Sequence, residues 1–182
     1  MTSPAPALPH DRTLADGVRA GDPAAMSEVY VRHGPALVRA AYGLTGSAQD
    51  AEDIVQDLFV GLPEAIGKFD GSGSLGGWLR RVVARMALMR LRAGRRRRED
   101  DDAEIEVLPR VDRALDALAD RLTLDQALRA LPVDLRVVFV LKEVEGYRHD
   151  EIAGLLGIRR NTAEVRLHRA RKLLQRLLGD DR

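Results

Sequence analysis

The chain has 182 residues, of which 45% are apolar and 4% aromatic, with no cysteine and a formal net charge of +1. This length holds one medium domain or two small ones, and a core of Leu, Val, Ile and Ala suits packed helices better than a β-sandwich. The lack of cysteine excludes disulfides and thiolate metal sites, and the four histidines lack zinc-ligand spacing. We therefore expect neither a metal nor a cofactor.

The N-terminus is predicted to be a disordered tail at residues 1–13. Its first ten residues, MTSPAPALPH, have neither the basic start nor the apolar centre of a signal peptide. No apolar run in the sequence reaches membrane-spanning length. These features predict a cytoplasmic protein without a membrane segment.

The small net charge conceals a strong segregation of charge along the chain. Residues 76–98 hold nine arginines and no acid, residues 158–176 hold seven basic residues and one acid, and residues 99–106 hold six acids and no base. Two basic blocks separated by an acidic one indicate two electropositive surfaces of the kind that bind nucleic acid.

Helical periodicity runs from about Leu14 to Arg92 and resumes at Leu122, whereas the segment between them is acidic and contains Pro109. We predict an all-α chain with two small helical domains, the second a helix-turn-helix domain. The predicted bounds are 14–94 and 122–182, joined by a flexible acidic linker at 95–121.

In the first domain, the pattern predicts helices over residues 16–44 that are interrupted at Gly34 and Pro35. The next helix, DAEDIVQDLFVGLPEAIGKF, has acids in its first two turns. Acids at a helix N-terminus offset the macrodipole, so they have a structural explanation as well as a functional one. Pro63 predicts a kink or break near Leu62.

The following segment, FDGSGSLGGWL, contains a G-x-G-x-x-G pattern at Gly71, Gly73 and Gly76. A dinucleotide site with this pattern requires a preceding strand, whereas a helix precedes it here. We reject the cofactor interpretation and predict a mobile glycine-rich loop.

The helix after the loop has a predicted buried side made of Trp78, Leu79, Val82, Val83, Met86 and Met89. Beside it, Arg81, Arg85 and Arg92 share a narrow sector. A solvated face usually mixes Glu with Lys, whereas this one carries only arginine, whose planar fork suits phosphates and base edges. The helix therefore favours a nucleic-acid contact.

The second domain begins with a capping-box pattern at Thr123 and Gln126 and a helix that ends before Pro132. A helix over residues 133–145 follows, and then a short helix, a turn at Gly157 and a longer helix capped by Asn161. The long helix has a predicted buried stripe of Ala163, Leu167, Ala170, Leu174 and Leu177. This arrangement is typical of a helix-turn-helix, whose second helix enters the major groove of DNA.

Three segments together resemble the two domains of extracytoplasmic-function sigma factors of bacterial RNA polymerase. They are DAEDIVQDLF, GGWLRRVVARMALMRLRAGRRRR and LPVDLRVVFVLKEVEGYRHDEIAGLLGIRRNTAEVRLHRARKLL. The resemblance extends from about Leu14 to Leu178. It implies a sigma factor that directs core polymerase to promoters and initiates transcription by melting the minus-ten element and recognising the minus-thirty-five element as duplex.

The resemblance also implies roles for individual residues. Contacts to the clamp helices of core polymerase would come from Asp53, Gln56 and Asp57, and the polymerase flap is a second expected contact. Contacts to minus-ten DNA would come from Trp78, Arg81, Arg85, Met89 and Arg92. Contacts to minus-thirty-five DNA would come from Arg160, Asn161, Glu164, Val165, Arg166, His168, Arg169 and Arg171. An anti-sigma factor is an expected partner, a small-molecule substrate is not, and the protein would associate with the nucleoid through the polymerase.

This chain departs from the usual family pattern at several of these positions. Leu75, Gly76 and Gly77 stand where the loop usually offers larger or polar side chains, and Pro63 stands where many members have an aromatic residue. In the recognition helix, Glu164 and Val165 replace a basic residue and a serine. Because Glu suits a cytosine amino group and Val a thymine methyl, we expect an altered minus-thirty-five preference.

Other functions fit the sequence less well. A stand-alone helix-turn-helix regulator with an N-terminal protein-interaction domain leaves the first arginine helix and its glycine loop without a role. An adaptor protein built from amphipathic helices leaves both basic blocks unexplained. An enzyme is the least favoured, because no carboxylate pair, triad or phosphate loop occurs at a usable spacing.

Overall fold

The computed structural model describes residues 9–100 and 123–179, and the regular elements in these ranges are helices. The predicted all-α class is confirmed. A short 3₁₀ turn, Ile66–Lys68, follows the third helix, and a π-helical segment, Val140–Val144, follows the sixth. We number the α-helices α1 (Pro9–Arg19), α2 (Pro23–Thr45), α3 (Ala48–Ala65), α4 (Leu75–Asp100), α5 (Leu124–Ala130), α6 (Val133–Phe139), α7 (His149–Leu156) and α8 (Arg160–Leu177).

The chain divides into two compact units. The first takes its described residues from Met1–Tyr42 and Ser47–Ala87, and the second from Gly43–Gly46 and Leu88–Arg182. Most of the predicted acidic linker, residues 101–121, lies outside the described residues. None of the described helices is long and apolar enough to cross a membrane.

The core of the first unit is aliphatic, as the scarcity of aromatic residues requires. Each of the helices α1 to α4 buries a stripe at helical spacing, and α1 packs against α3. The largest fully buried side chains of this unit are Val18, Val29, Leu37, Leu62, Ile66, Leu75, Leu79 and Val83.

The predicted interruption at Gly34 and Pro35 and the predicted break near Leu62 are wrong. Helix α2 continues through Pro35, and α3 continues through Pro63 to Ala65. A proline inside a helix removes one backbone hydrogen bond and costs about 3 kcal/mol. Buried side chains on both sides of each proline offset this cost, because burying each large aliphatic contributes about 1.5–3 kcal/mol. Tertiary packing therefore overrides the local signal.

The predicted tail and the predicted start of the linker also need correction. Helix α1 begins at Pro9, inside the predicted tail, because Leu14, Ala15 and Val18 pack into the core. Proline at the first helical position loses no intrahelical hydrogen bond. Helix α4 extends to Asp100, six residues beyond the predicted end of the domain at residue 94.

The second unit follows its local sequence signals closely. Thr123 and Gln126 form the predicted capping box, and Gly157 turns the chain between α7 and α8 with a φ of 67°. The backbone N–H groups of Gly157 and Ile158 both donate to the Ala153 carbonyl oxygen. The predicted buried stripe of α8 is confirmed at all five positions.

The predicted N-cap of α8 is wrong by two positions. The N-cap is Arg159, without a side-chain hydrogen bond, and the helix begins at Arg160. Because the turn closes at Gly157 and Ile158, α8 begins two residues earlier than predicted. Asn161 therefore lies in the first turn of the helix. Asn161 is exposed there and is free to face a partner.

Candidate polymerase and nucleic-acid interfaces

Two acidic residues of α3, Asp53 and Asp57, lie on one face of the helix together with Gln56. Asp53, Gln56 and Asp57 are separated by three and four residues, and Gln56 and Asp57 are exposed. Ser47 caps the helix by accepting a hydrogen bond from the Asp50 amide, and Gln49 donates to Asp53 Oδ1 at 2.9 Å. This face presents negative charge in a fixed position.

An apolar extension of this face was missed in the sequence. Val60 follows Asp57 by three residues and is 77% exposed. Beside it, Phe59 contacts the exposed Tyr30 edge to face, with ring centroids 5.0 Å apart. We name Asp53, Gln56, Asp57 and Val60 the α3 face. Val60 lies seven residues, or two helical turns, after Asp53, so helical spacing places it on the α3 face. An apolar side chain in a helix is, however, usually assigned to the core.

The glycine loop has a defined backbone. Asp70 accepts hydrogen bonds from the Ser72 amide at 2.8 Å and the Ser72 hydroxyl at 2.6 Å. The hydroxyl and amide bonds of Ser72 lower the pKa of Asp70. Gly71 and Gly73 have φ values of 74° and 80°, a region that a side chain disfavours. The backbone of the loop therefore requires glycine at positions 71 and 73.

Two side chains cap the N-terminus of α4. The Ser74 hydroxyl oxygen accepts from the Gly77 amide at 3.1 Å, and Asp11 Oδ2 of α1 accepts from the Leu75 amide at 2.9 Å. A Cβ atom on Gly76 would lie 2.9 Å from Nδ1 of His33. Glycine stands at position 76 because the His33 ring occupies the space of a side chain.

His33 gives this region a pH dependence. Burial lowers its pKa, Asp11 opposes the shift, and Arg32 and Arg80 add to it. The unfolded chain therefore binds a proton at this histidine more readily than the folded protein does. Folding with a neutral His33 has its full stability above about pH 6.5, and part of that stability is lost as the pH falls below this value.

We expect His33→Gln to reduce the loss of stability between about pH 7 and pH 5, because the residue no longer titrates there. Chemical denaturation of wild type and variant at several pH values measures this. His168→Gln, at an exposed position of the second unit, is the control. An unchanged pH dependence in His33→Gln would contradict the assignment.

The outward face of α4 carries arginine and an exposed methionine. Arg81 and Arg85 are exposed and form no ion pair among the described residues. Trp78 is half-buried against Phe69, with ring centroids 5.9 Å apart. Met89, predicted to be buried, is 65% exposed.

The correction at Met89 follows from the direction of the buried stripe. Leu79, Val83 and Ala87 define this stripe, and Ala84 and Leu88 widen it on one side. Met89 is one residue beyond Leu88, about 100° further around the helix, and so points outward. Arg92 is exposed and belongs by its packing to the second unit.

The exposed side of α8 places the predicted groove-facing residues together. Asn161, Val165, His168 and Arg169 are exposed at helical spacing, opposite the buried stripe. Val165 keeps 42% of its surface accessible. These side chains are available to base edges and methyl groups in a major groove.

The remaining predicted residues of α8 form ion pairs within the second unit. Arg160 contacts Glu164 at 2.9 Å and Asp150 at 3.4 Å. Arg166 contacts Asp134 at 2.9 Å and is only 27% exposed. Arg171 contacts Glu143 at 2.6 Å.

These pairs separate two groups of arginines that the sequence treats alike. Arg166 and Arg171 are held by acids from the preceding helical segments, whereas Arg159 and Arg169 have no acidic partner among the described residues. Residues 10–97 and 123–179 contain no group of three or more potential metal ligands.

Comparison with known proteins gives two family matches in separate parts of the chain. Residues 29–97 match the model of sigma-70 region 2, and residues 121–174 match that of sigma-70 region 4. The chain is 32% identical over 174 residues to the ECF RNA polymerase sigma factor SigM of Mycobacterium tuberculosis, covering 93% of this chain and 87% of that protein. It is 29% identical to the RNA polymerase sigma-H factor of Pseudomonas aeruginosa, covering 92% and 93%.

Solved structures show the same fold. The sigma factor RpoE from Bartonella quintana, in complex with the anti-sigma factor NepR, matches with a TM-score of 0.58 and 25% identity, covering 86% of this chain and 98% of that one. CnrH, in complex with the cytosolic domain of CnrY, matches with a TM-score of 0.55 and 30% identity, covering 94% and 99%. The chain therefore belongs to the extracytoplasmic-function family of RNA polymerase sigma factors, and it directs RNA polymerase to promoters.

Proposed function

We propose that the three surfaces described above divide the work of initiation between them. The α3 face binds core polymerase, α4 with its glycine loop opens the minus-ten element, and the exposed side of α8 recognises the minus-thirty-five element as duplex. The main support for these three roles is that each unit has its own arginine surface. The surface of α4 combines arginine with apolar side chains, whereas that of α8 combines it with polar side chains and Val165.

The surface of α4 suits single-stranded DNA. Proteins that bind single strands combine cations that follow the backbone with apolar or planar groups against which displaced bases pack. Arg81 and Arg85 supply the cations, and the exposed Met89 and the half-buried Trp78 supply apolar contacts. The hydrogen-bonded turn of Asp70 and Ser72 gives the loop a defined shape that supports this role.

The surface of α8 suits duplex recognition. Arg169, His168 and Val165 project from a helix that is fixed by its buried stripe, as contacts to base edges require. Arg160 and Glu164 are bound to each other, so a contact of either one to a base competes with this ion pair. Arg166 and Arg171 act mainly by holding α8 in place and contact phosphates as a secondary role.

The α3 face suits a basic partner surface. Its carboxylates are held at the N-terminal half of a long helix, and Val60 adds an apolar contact near them. Exposed charge around a desolvated apolar centre is the usual composition of a protein interface. We assign this face to the clamp helices of core polymerase, and we assign the flap to the second unit.

Regulation and location follow from the family. The solved structures of RpoE and CnrH hold NepR and CnrY, respectively, and we infer that an anti-sigma factor likewise binds this chain. We assign it no enzymatic activity of its own and place it in the cytoplasm, associated with the nucleoid through polymerase.

Replacing Arg169 by alanine tests the assignment of α8. We expect a loss of about 1–3 kcal/mol of promoter affinity in the holoenzyme, and the loss should disappear on a promoter whose minus-thirty-five element is scrambled. Initiation assays on the two promoters measure the effect. An equal loss on both promoters would show that Arg169 contacts no base of that element.

Arg166→Ala is the matched control, because Arg166 lies in the same helix but is paired with Asp134. We expect it to lower the stability of the second unit by up to about 1 kcal/mol, since a partly exposed pair contributes little. It should leave the preference between the two promoters unchanged.

A further inference from the structure

One buried carboxylate lies outside the three surfaces. Asp11 belongs to α1, is 6% exposed and accepts a hydrogen bond from the Leu75 amide, 64 residues away in the chain. A buried carboxylate is costly unless it has a hydrogen-bond donor, so its place in the fold is tightly constrained. The donor here is the first residue of α4.

The contact lies at the point where the glycine loop becomes a helix. The first four amides of an α-helix have no partner within the helix. The hydroxyl of Ser74, in the loop itself, accepts a hydrogen bond from the Gly77 amide. The carboxylate of Asp11, in a different helix, accepts one from the Leu75 amide. The negative charge also faces the positive end of the macrodipole of a 26-residue helix.

A second contact fixes the same turn from another side. The ring of His33, in α2, fills the space beside Gly76. Burial lowers the pKa of this histidine, and the nearby Asp11 carboxylate opposes the shift. At the other end of the loop, Asp70 holds Ser72. The loop and the first turn of α4 are therefore held by α1, by α2 and by a local turn, with Trp78 one position beyond the Gly77 amide.

We propose that Asp11 is a positioning residue for promoter opening, and that α1 acts through it to set the glycine loop and Trp78 in the place where the minus-ten strand is received. The inference rests on the proposed role of the loop and α4. A site that is fixed before binding does not lose affinity in ordering itself, and an error of about 0.5 Å in such a site is enough to weaken it.

Three substitutions at Asp11 separate position from charge. Asp11→Asn keeps an oxygen acceptor in the same place without the charge, Asp11→Glu keeps the charge but moves the oxygens by one methylene, and Asp11→Ala removes both. Asp16→Ala is the control, because Asp16 is an exposed acid of the same helix that pairs with Arg19. Each variant is assembled with core polymerase.

The readouts are core affinity, the amount of competent holoenzyme and the rate constant of open-complex formation on duplex promoter at saturating holoenzyme. We expect the alanine and glutamate variants to open the promoter about tenfold more slowly, and the asparagine variant to stay within about threefold of wild type. Core affinity and the Asp16→Ala rate should be unchanged. A folding defect would instead lower the amount of competent holoenzyme and leave the rate constant unaltered.

Other outcomes overturn the inference. Slow opening by the asparagine variant with normal opening by the glutamate variant would show that charge matters and position does not. Normal opening by both the alanine and glutamate variants would remove the role of Asp11. If the alanine variant does not fold, the asparagine and glutamate pair decides alone. Failure of the wild-type holoenzyme to open any promoter would instead contradict the proposed function.

Discussion

Leu79→Ala is expected to lower the free energy of unfolding of the first unit by about 2–5 kcal/mol. Leu79 is 0% exposed in the middle of the buried stripe of α4, and alanine would leave a cavity that the neighbouring aliphatic side chains fill only in part. Chemical denaturation followed by tryptophan fluorescence measures the change. Trp78 is the single tryptophan of the chain, so the signal reports the first unit.

Met89→Ala, in the same helix and two residues beyond the end of the first unit, is the control at an exposed position. Because Met89 is largely exposed, we expect a change in unfolding free energy within about 0.5 kcal/mol, together with weaker promoter opening. A large stability loss from Met89→Ala, or none from Leu79→Ala, would contradict the assignment of the buried and exposed sides of α4.

Reversal of charge at Asp57 is expected to weaken binding to core polymerase by at least about tenfold. In Asp57→Lys the exposed carboxylate at the centre of the α3 face becomes a cation, so an attraction to a basic partner becomes a repulsion. Competition for core polymerase against a labelled sigma factor measures the affinity. The effect should shrink as the salt concentration rises.

Glu52→Lys provides the control for this reversal. Glu52 is also exposed on α3, but it lies five residues before Asp57 and therefore about 140° around the helix, at the edge of the α3 face next to Gln56. We expect it to change core affinity by less than about threefold. Equal losses from the two reversals would contradict a contact centred on Asp57.

Local signals predicted the second unit better than the first. The capping box, the turn at Gly157 and the buried stripe of α8 all depend on residues within one or two turns of each other, and each was confirmed. The continuity of α2 and α3 through their prolines depends on packing against other helices, which no local pattern contains.

The same distinction applies to the candidate sites. Spacing alone placed the exposed residues of α8 on one side of that helix. It likewise placed Asp53 and Asp57 on one side of α3. It could not show that Asp134 engages Arg166 or that Asp11 caps α4, because these contacts join residues 32 and 64 positions apart. An arginine pattern indicates a basic surface, whereas the acids brought in by the fold decide which arginines remain available.

The ion pair between Arg160 and Glu164 affects which residues of α8 we expect to contact bases of the minus-thirty-five element. The sequence suggested that Glu164 contacts a cytosine, but in the structure it accepts a hydrogen bond from Arg160 at 2.9 Å. Contact of Glu164 with a cytosine would therefore compete with this ion pair. Val165, exposed and without a polar group, is the simpler candidate for contact with a thymine methyl.

Sigma-factor function is tested most directly by transcription with purified components on a promoter that has two short elements. We expect the protein to support initiation when it is added to core polymerase, and to bind the same duplex poorly when it is alone. Scrambling either element should reduce initiation. Tight, specific binding to the duplex by the protein alone, with no initiation in the presence of core polymerase, would contradict the account.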